Sequence, residues 1–273
     1  MSLITAERLG LTSLRMPRLL GALLLSCLIS SCVTTTSGGF NVEASEQQAL
    51  EDYLQLAIAY YDANDLTGAR RHVNNALDID TRSSDAYTML ALILQREGDL
   101  DLAEETFQRA INLDRNNSRA RNNYAVLLFS MQRYGDAYDQ LQRVAADANY
   151  EGRSFAFENL GRAALRLDRN QAAETAFGRA LQLNANLYIS ALELAMLQFE
   201  NQDFNGAREV YQQYLTTVDF YNIPHTPRAL LAGIQIEGHF QNTELVDDFS
   251  LILSTLYQDS PEYETYQGIS DAN

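Results

Sequence analysis

Two kinds of hydrophobic pattern divide this chain. The first is one unbroken run, "LLGALLLSCLI" from Leu19 to Ile29, whose 11 residues carry no charge and follow Arg15 and Arg18. That length falls short of the roughly 20 apolar residues a helix needs to cross a ~30 Å hydrocarbon core, but it fits the central region of a secretory signal. The "TTTSGG" that comes after it offers nothing to bury and predicts a flexible tether. The second pattern starts beyond residue 45 and is periodic. Ala69, Ala103 and Ala137 stand 34 residues apart, Ala173 follows after 36 and Ala207 after 34 more, while Ala76, Ala110 and Ala180 repeat the series seven residues on. Self-similarity at such a period is the mark of a stacked repeat protein. Large apolar residues recur between the alanines at helical spacing, no stretch shows a strand pattern, and Asn64-Asp65 and Gly98-Asp99 predict breaks between paired helices.

The unit resembles the tetratricopeptide repeat, two antiparallel helices per 34 residues. In repeat one (50–83) its places hold Tyr53, Leu56, Ala57, Tyr60, Ala69, Val73 and Ala76. Repeat two (84–117) has Tyr87, Leu90, Ala91, Leu94, Ala103, Phe107 and Ala110; repeat three (118–153) has Tyr124, Ala125, Leu128, Ala137 and Leu141, with Arg121 departing at the first place. Repeat four (154–187) has Phe157, Leu160, Gly161, Ala164, Ala173, Phe177 and Ala180, and repeat five (188–225) has Ala191, Leu194, Ala195, Ala207, Tyr211 and Tyr214. A weaker sixth (226–259) has Ala229, Gly233, Ile236, Leu245 and Phe249. The expected fold is all-α, a right-handed superhelix of about six such repeats over 47–273, whose concave face, lined by the first helix of each unit, binds peptides or protein segments.

Repeat geometry places the second, fifth, ninth and twelfth residues of each unit on that face. They include Leu54, Ile58 and Tyr61; Leu92; Arg119, Asn122, Val126 and Phe129; Phe155, Glu158 and Arg162; and Leu192, Met196 and Phe199. A groove this apolar suits a hydrophobic or amphipathic segment, although any single residue could instead be covered by a neighbouring repeat.

Charge removes alternatives. All 20 basic residues are Arg, so there is no lysine for a phosphate loop, a Schiff base or a two-carboxylate clamp, and the formal net charge of −16 disfavours nucleic acid and anionic lipid. His72, His225 and His239 lie far apart without metal-ligand spacing, so no metal or other cofactor is expected. The "DIDTRSSD" from Asp78 begins like a calcium loop but lacks Gly at the sixth place and has Met89 at the twelfth; it reads as a helix connection with Ser83 or Ser84 as cap. No nucleophile elbow or phosphate loop occurs, and no residue stands out as catalytic, so the chain is read as a non-enzyme.

The end of the first pattern now gains meaning. Ile29, Ser30, Ser31 and Cys32 resemble the lipobox of bacterial lipoproteins, whose Cys is acylated before cleavage; the plainer alternative is an ordinary signal with an incidental Cys. Cys27 is preceded by the large Leu25 where a small residue is usual, and reads as part of the signal. Residues 1–31 would then be a lipoprotein signal and 32–46 the acylated Cys with its tether. Met16 begins a complete signal by itself, so the start stays open between Met1 and Met16. Processing leaves 17 basic and 35 acidic residues, a net of −18. Val33, where an Asp often retains such lipoproteins at the inner membrane, is compatible with transfer to the outer membrane.

Longer stretches are more specific. "RNNYAVLLFSMQRYGDAYDQL" (121–141), "RSFAFENLGRAAL" (153–165), "LQLNANLYISALELAML" (181–197) and "LYQDSPEYETYQ" (256–267) resemble the type IV pilus biogenesis and stability lipoproteins of the PilF/PilW family. Asn122, Asn123, Glu158 and Asn159 lie in these stretches and are not needed to pack a repeat stack, which adds them to the candidate groove; the alternative role is helix–helix hydrogen bonding between repeats three and four. The resemblance implies a pilotin, held at the periplasmic face of the outer membrane through Cys32, that binds outer-membrane secretin subunits and promotes their localisation and multimerisation. A tetratricopeptide scaffold lipoprotein of another envelope complex, for barrel assembly or peptidoglycan synthesis, is the alternative with the same anchor and fold. The chain departs from the family in its upstream extension, its lack of Lys and the segment "VDFYNIPHTP" (218–227), which leaves the register of repeat six open.

Overall fold

The computed structural model describes residues 45–270. The signal segment, Cys32 and the tether up to residue 44 lie outside the described residues. Thirteen helices and no strand are found among those described: α1 (Glu46–Asp62), α2 (Leu66–Ile79), α3 (Ser84–Glu97), α4 (Leu100–Leu113), α5 (Ser118–Ser130), α6 (Tyr134–Ala146), α7 (Arg153–Leu165), α8 (Asn170–Leu183), α9 (Tyr188–Glu200), α10 (Phe204–Phe220), α11 (Pro227–His239), α12 (Thr243–Leu256) and α13 (Pro261–Ser270). Twelve of them form six antiparallel pairs, one per expected repeat. Each second helix packs against the first helix of the next pair, and successive first helices touch, so the pairs stack as a tetratricopeptide superhelix.

The alanine ladder explains the close pairing. Ala57, Ala91, Ala125, Ala195 and their second-helix neighbours Ala69, Ala103, Ala137, Ala173 and Ala207 are all fully buried. Sixteen residues after each small residue of the first helix a large one fills the gap it leaves: Val73, Phe107, Leu141, Phe177, Tyr211 and Phe249. Phe107 and Phe177 have no exposed surface, and burial of each contributes about 1.5–3 kcal/mol. Where the first helix has Gly, the ring comes closer still. A Cβ at Gly161 would lie 2.7 Å from the Phe177 ring, and one at Gly233 would lie 2.3 Å from the Tyr211 hydroxyl and 2.7 Å from Phe249.

Turns and caps separate the units. Within each pair the reversing residue is left-handed: Asn64, Gly98, Gln132, Asp168, Gln202 and Gln241. The two expected breaks thus fall where predicted, with Asp65 and Asp99 accepting from the backbone of Gly68 (2.8 Å) and Leu102 (3.4 Å) as N-caps. Between pairs, the side chains of Asp80, Asp114, Asp147 and Asn184 each accept from the backbone N–H two residues on. In "DIDTRSSD" the cap is Ser83, which accepts from Ala86.

Three sequence expectations are refined. Leu56 occupies a core place but is 42% exposed, because no earlier repeat among the described residues covers α1. Arg121, the departure in repeat three, reaches Gln140 and the Arg115 carbonyl instead of packing. The segment 218–227 divides between α10, about a turn longer than α8, which takes in the buried Val218 and ends at Phe220, and the connection that leads to Thr226 capping α11. The first helix of repeat six keeps its expected register, with Ala229, Gly233 and Ile236 buried, whereas α12 starts one residue later in the repeat than its counterparts, which leaves Leu245 half-buried while Phe249 and Leu253 are buried. α13 packs on α11 as the first helix of a seventh repeat would, and its Tyr263 and Tyr266 cover the C-terminal end of the core.

A second, polar ladder joins the repeats. The twenty-first residue of each of the first five repeats reaches the next repeat: Arg70 to Glu97, Glu104 to Arg133 at 2.7 Å, Tyr138 under Arg169 at 4.8 Å, Glu174 to Asn201 at 2.9 Å, and Arg208 to Glu237 at 2.9 Å. Glu237 is fully buried and also accepts from Asn242, so its charge is fully engaged. Burial acts to raise the Glu104 carboxyl, but hydrogen bonds from Tyr124, Arg133 and Gln108 together hold it below the ordinary range.

Replacing Gly161 with Val should lower stability by about 1–3 kcal/mol through overpacking against Phe177, read as a drop in thermal midpoint by circular dichroism, with Gly178→Ala, which meets open space, as control. Burial also raises the Tyr211 hydroxyl, and raises Tyr214 to about 12. The unfolded chain loses these protons near pH 10 while the folded chain keeps them, so the stability they contribute is present below pH ~10 and is lost as pH rises toward 12. Tyr214→Phe should shallow that alkaline decline in denaturant titrations; an unchanged slope would contradict it.

Candidate protein-binding groove

First helices supply the concave face because successive ones lie side by side while second helices stack behind them. Along each first helix, four places point toward this face, but they do not share one environment. The fifth places form a floor wedged between neighbouring helices: Thr88, Glu158, Leu192 and Leu230 are buried, and Leu54 and Asn122 half-buried. Second and ninth places form the walls; Ile58 and Val126 at 40% exposure, Phe155 at 53%, and Arg119 and Arg162 are exposed there, while Leu92 and Met196 are half-buried and Ile234 is buried.

Eight of the sequence-derived residues gather around two pits. The first, about 150 Å³, is lined by Leu54, Ile58, Asp85, Thr88, Met89, Leu92 and Arg119. The second, about 140 Å³, is lined by Ala125, Val126, Phe129, Ser130, Leu141, Asn159 and Arg162. Both fall well short of the ~300 Å³ lower range of small-molecule sites, so they suit single side chains of a bound segment. In the second pit the Arg162 guanidinium lies 5.3 Å over the Phe129 ring, which in turn meets Tyr134 edge-on at 5.0 Å.

The remaining candidates are placed otherwise. Tyr61 is covered by Arg96 of the next repeat, which stacks 3.6 Å above its ring and donates to its carbonyl at 2.7 Å. Glu158 accepts from both the backbone N–H (3.2 Å) and the hydroxyl (2.8 Å) of Ser190. It therefore links repeats four and five, where the sequence reading had paired repeats three and four. Asn122 keeps a buried Oδ1 without a partner, and Asn123 is half-buried one residue on. Met196 and Phe199 are half-buried, the latter against Phe204 at 5.3 Å. Sequence reasoning missed Asp85, Thr88 and Met89 in the first pit; Asp85 and Thr88 hold the second and fifth places of repeat two, the same spacing that found their counterparts.

The three histidines serve packing: His72 lies 5.0 Å from the Tyr60 ring, His225 6.0 Å from Tyr214 and His239 3.8 Å from Phe204. No group of three metal-ligating side chains occurs among the described residues.

Models of the tetratricopeptide repeat match residues 84–117 and 158–222. Type IV pilus assembly protein PilF of Pseudomonas aeruginosa is 31% identical over 245 residues, covering 89% of this chain and 95% of that protein. An uncharacterized protein of Haemophilus influenzae is 25% identical over 141 residues, 52% of this chain and 76% of its own length. Among solved structures, that of Pseudomonas aeruginosa PilF superposes with a TM-score of 0.76 at 32% identity, covering 82% of this chain and 98% of its own. PilW, described as a widely conserved type IV pilus biogenesis factor, superposes at 0.64 with 22% identity, covering 81% and 99%, a likeness of fold alone.

Glu158→Ala should cost about 1–3 kcal/mol, because it leaves the buried Ser190 N–H and hydroxyl unpaired, whereas Glu158→Gln should keep most of the stability. Chemical denaturation midpoints of the two variants check this, and equal midpoints would show that the Ser190 link contributes nothing.

Proposed function

We infer a pilotin function from the premise that this chain belongs to the family of type IV pilus assembly protein PilF and is a tetratricopeptide-repeat protein of type IV pilus biogenesis. On this reading the groove binds subunits of the outer-membrane secretin in the periplasm, and a lipid on Cys32 directs them to the outer membrane, where the ring that passes the pilus assembles. The observation that carries the reading is the end-to-end match, 31% identity across 95% of PilF.

Physical features support it. Side-chain-sized apolar pits on a concave face suit an amphipathic segment, which would place apolar residues into them at intervals. At a net charge of −16 the chain has no electrostatic attraction to an anionic bilayer, and no described helix is long and apolar enough to cross a membrane. A covalent anchor supplies what the folded domain lacks. At ~0.8 kcal/mol per buried CH₂, one acyl chain holds a protein only marginally, whereas the three usual in bacterial lipoproteins hold it durably. The tether after Cys32 then confines the groove to a thin layer beside the membrane and raises the local concentration of whatever it holds.

Deleting the gene should abolish heat-resistant secretin multimers and surface pili, scored by immunoblot and electron microscopy. Cys32→Ala should leave the repeats folded but shift the protein out of the outer-membrane fraction. Normal multimers in the deletion strain would refute the reading, and a Cys32→Ala protein that still fractionates with the outer membrane would refute the anchor.

A further inference from the structure

We propose that the pit between α5 and α7 is a subsite for an apolar side chain flanked by an acidic side chain on the bound segment, and that Arg162 recognises that carboxylate. This deepens the pilotin reading and rests on it.

The ninth place of the repeat is the starting point. It holds Ile58, Leu92, Val126, Met196 and Ile234 in five repeats and Arg162 in the fourth. The stack packs with an apolar residue there, so the fold does not call for an arginine. Arg162 is exposed, and its guanidinium lies 5.3 Å over the Phe129 ring. Arg70, Arg133, Arg208 and Arg228 are held by carboxylates of the chain itself. Arg162, like Arg96, Arg109 and Arg166, has no such ion pair among the described residues and faces an aromatic ring instead. Glu158, one turn earlier on α7, is turned to Ser190, and no carboxylate lines the pit. The other pit differs in this respect, since Asp85 lines it together with Arg119.

The surroundings define the ligand chemistry. Val126 and Phe129 form an apolar wall, Asn159 offers an amide on the same helix face as Arg162, and the phenyl ring of Phe155 stands more than half exposed one turn before Asn159. A side chain seated on the wall brings its neighbours in sequence to Asn159 and Arg162. A guanidinium on an apolar rim pairs with a planar carboxylate through two parallel N–H···O bonds, stronger than neutral ones. The concave face continues past the pit on both sides, to Leu92 and to Met196, so the segment runs through and the carboxylate is that of an internal Asp or Glu.

The test titrates the soluble periplasmic part of the secretin from the same genome against the full-length chain in detergent by isothermal calorimetry. Arg162→Met, which installs the residue of repeat five, and Arg162→Gln should keep the wild-type thermal midpoint and weaken binding about tenfold or more. Raising NaCl should weaken wild-type binding more steeply than that of Arg162→Met. Wild-type binding that both variants and salt leave unchanged would overturn the carboxylate and leave a purely apolar pit. Absence of any wild-type binding would overturn the secretin reading and this subsite with it.

Discussion

The structure depends on how closely the two helices of each repeat approach. Small residues at one place of the first helix and large ones sixteen residues later allow it, most visibly at Gly161 and Gly233, where the rings of Phe177 and Phe249 lie against a bare Cα. That contact sets the angle and separation of the helices, and therefore the surface on which the next pair docks. Because every repeat makes the same contact, small per-repeat rotations add in one sense and a curved stack results. The same small place faces Val73, Phe107, Leu141 or Tyr211 across Ala and Phe177 or Phe249 across Gly, so the fold holds the first partner small and lets the second vary in size.

The groove is a consequence of that stacking. First helices brought side by side bury or half-bury their fifth places and leave their second and ninth places more exposed through the first four repeats, so a floor and two walls appear without any dedicated binding element. Glu158 illustrates the difference. It is a charged residue on the groove helix, yet its position on the floor commits it to Ser190 of the next repeat. Arg162, four residues on, stands on the wall and has no such commitment. A shift of one helical turn thus separates a structural residue from one available to a partner.

Polar links between repeats work on a different principle from the apolar core. Each comes from the twenty-first place, and the five use three kinds of contact: ion pairs at Arg70, Glu104 and Arg208, an amide at Glu174 and a stacked ring at Tyr138. Exposed pairs of this kind contribute little singly, about 0–1 kcal/mol. Where the contact differs from one junction to the next, it disfavours some wrong orders of stacking among repeats whose apolar surfaces are alike. The buried Glu237 marks the end of this series, where α13 takes over and closes the stack.

The 34-residue ladder of Ala69, Ala103 and Ala137 determined the fold by itself, since a period of that length with helical spacing admits only stacked helix pairs, and the turns at Asn64 and Gly98 followed from local backbone preference. The groove helices and most of their facing residues were legible for the same reason. What the sequence could not decide is what a residue on that face touches. Tyr61 being capped by Arg96, Glu158 turning to Ser190 and Leu56 left uncovered all depend on a neighbour some 30 residues away, or on there being none. Periodicity records which way a side chain points from its own helix; which atoms meet it is set by the rotation between repeats, and that exists only once the helices have packed.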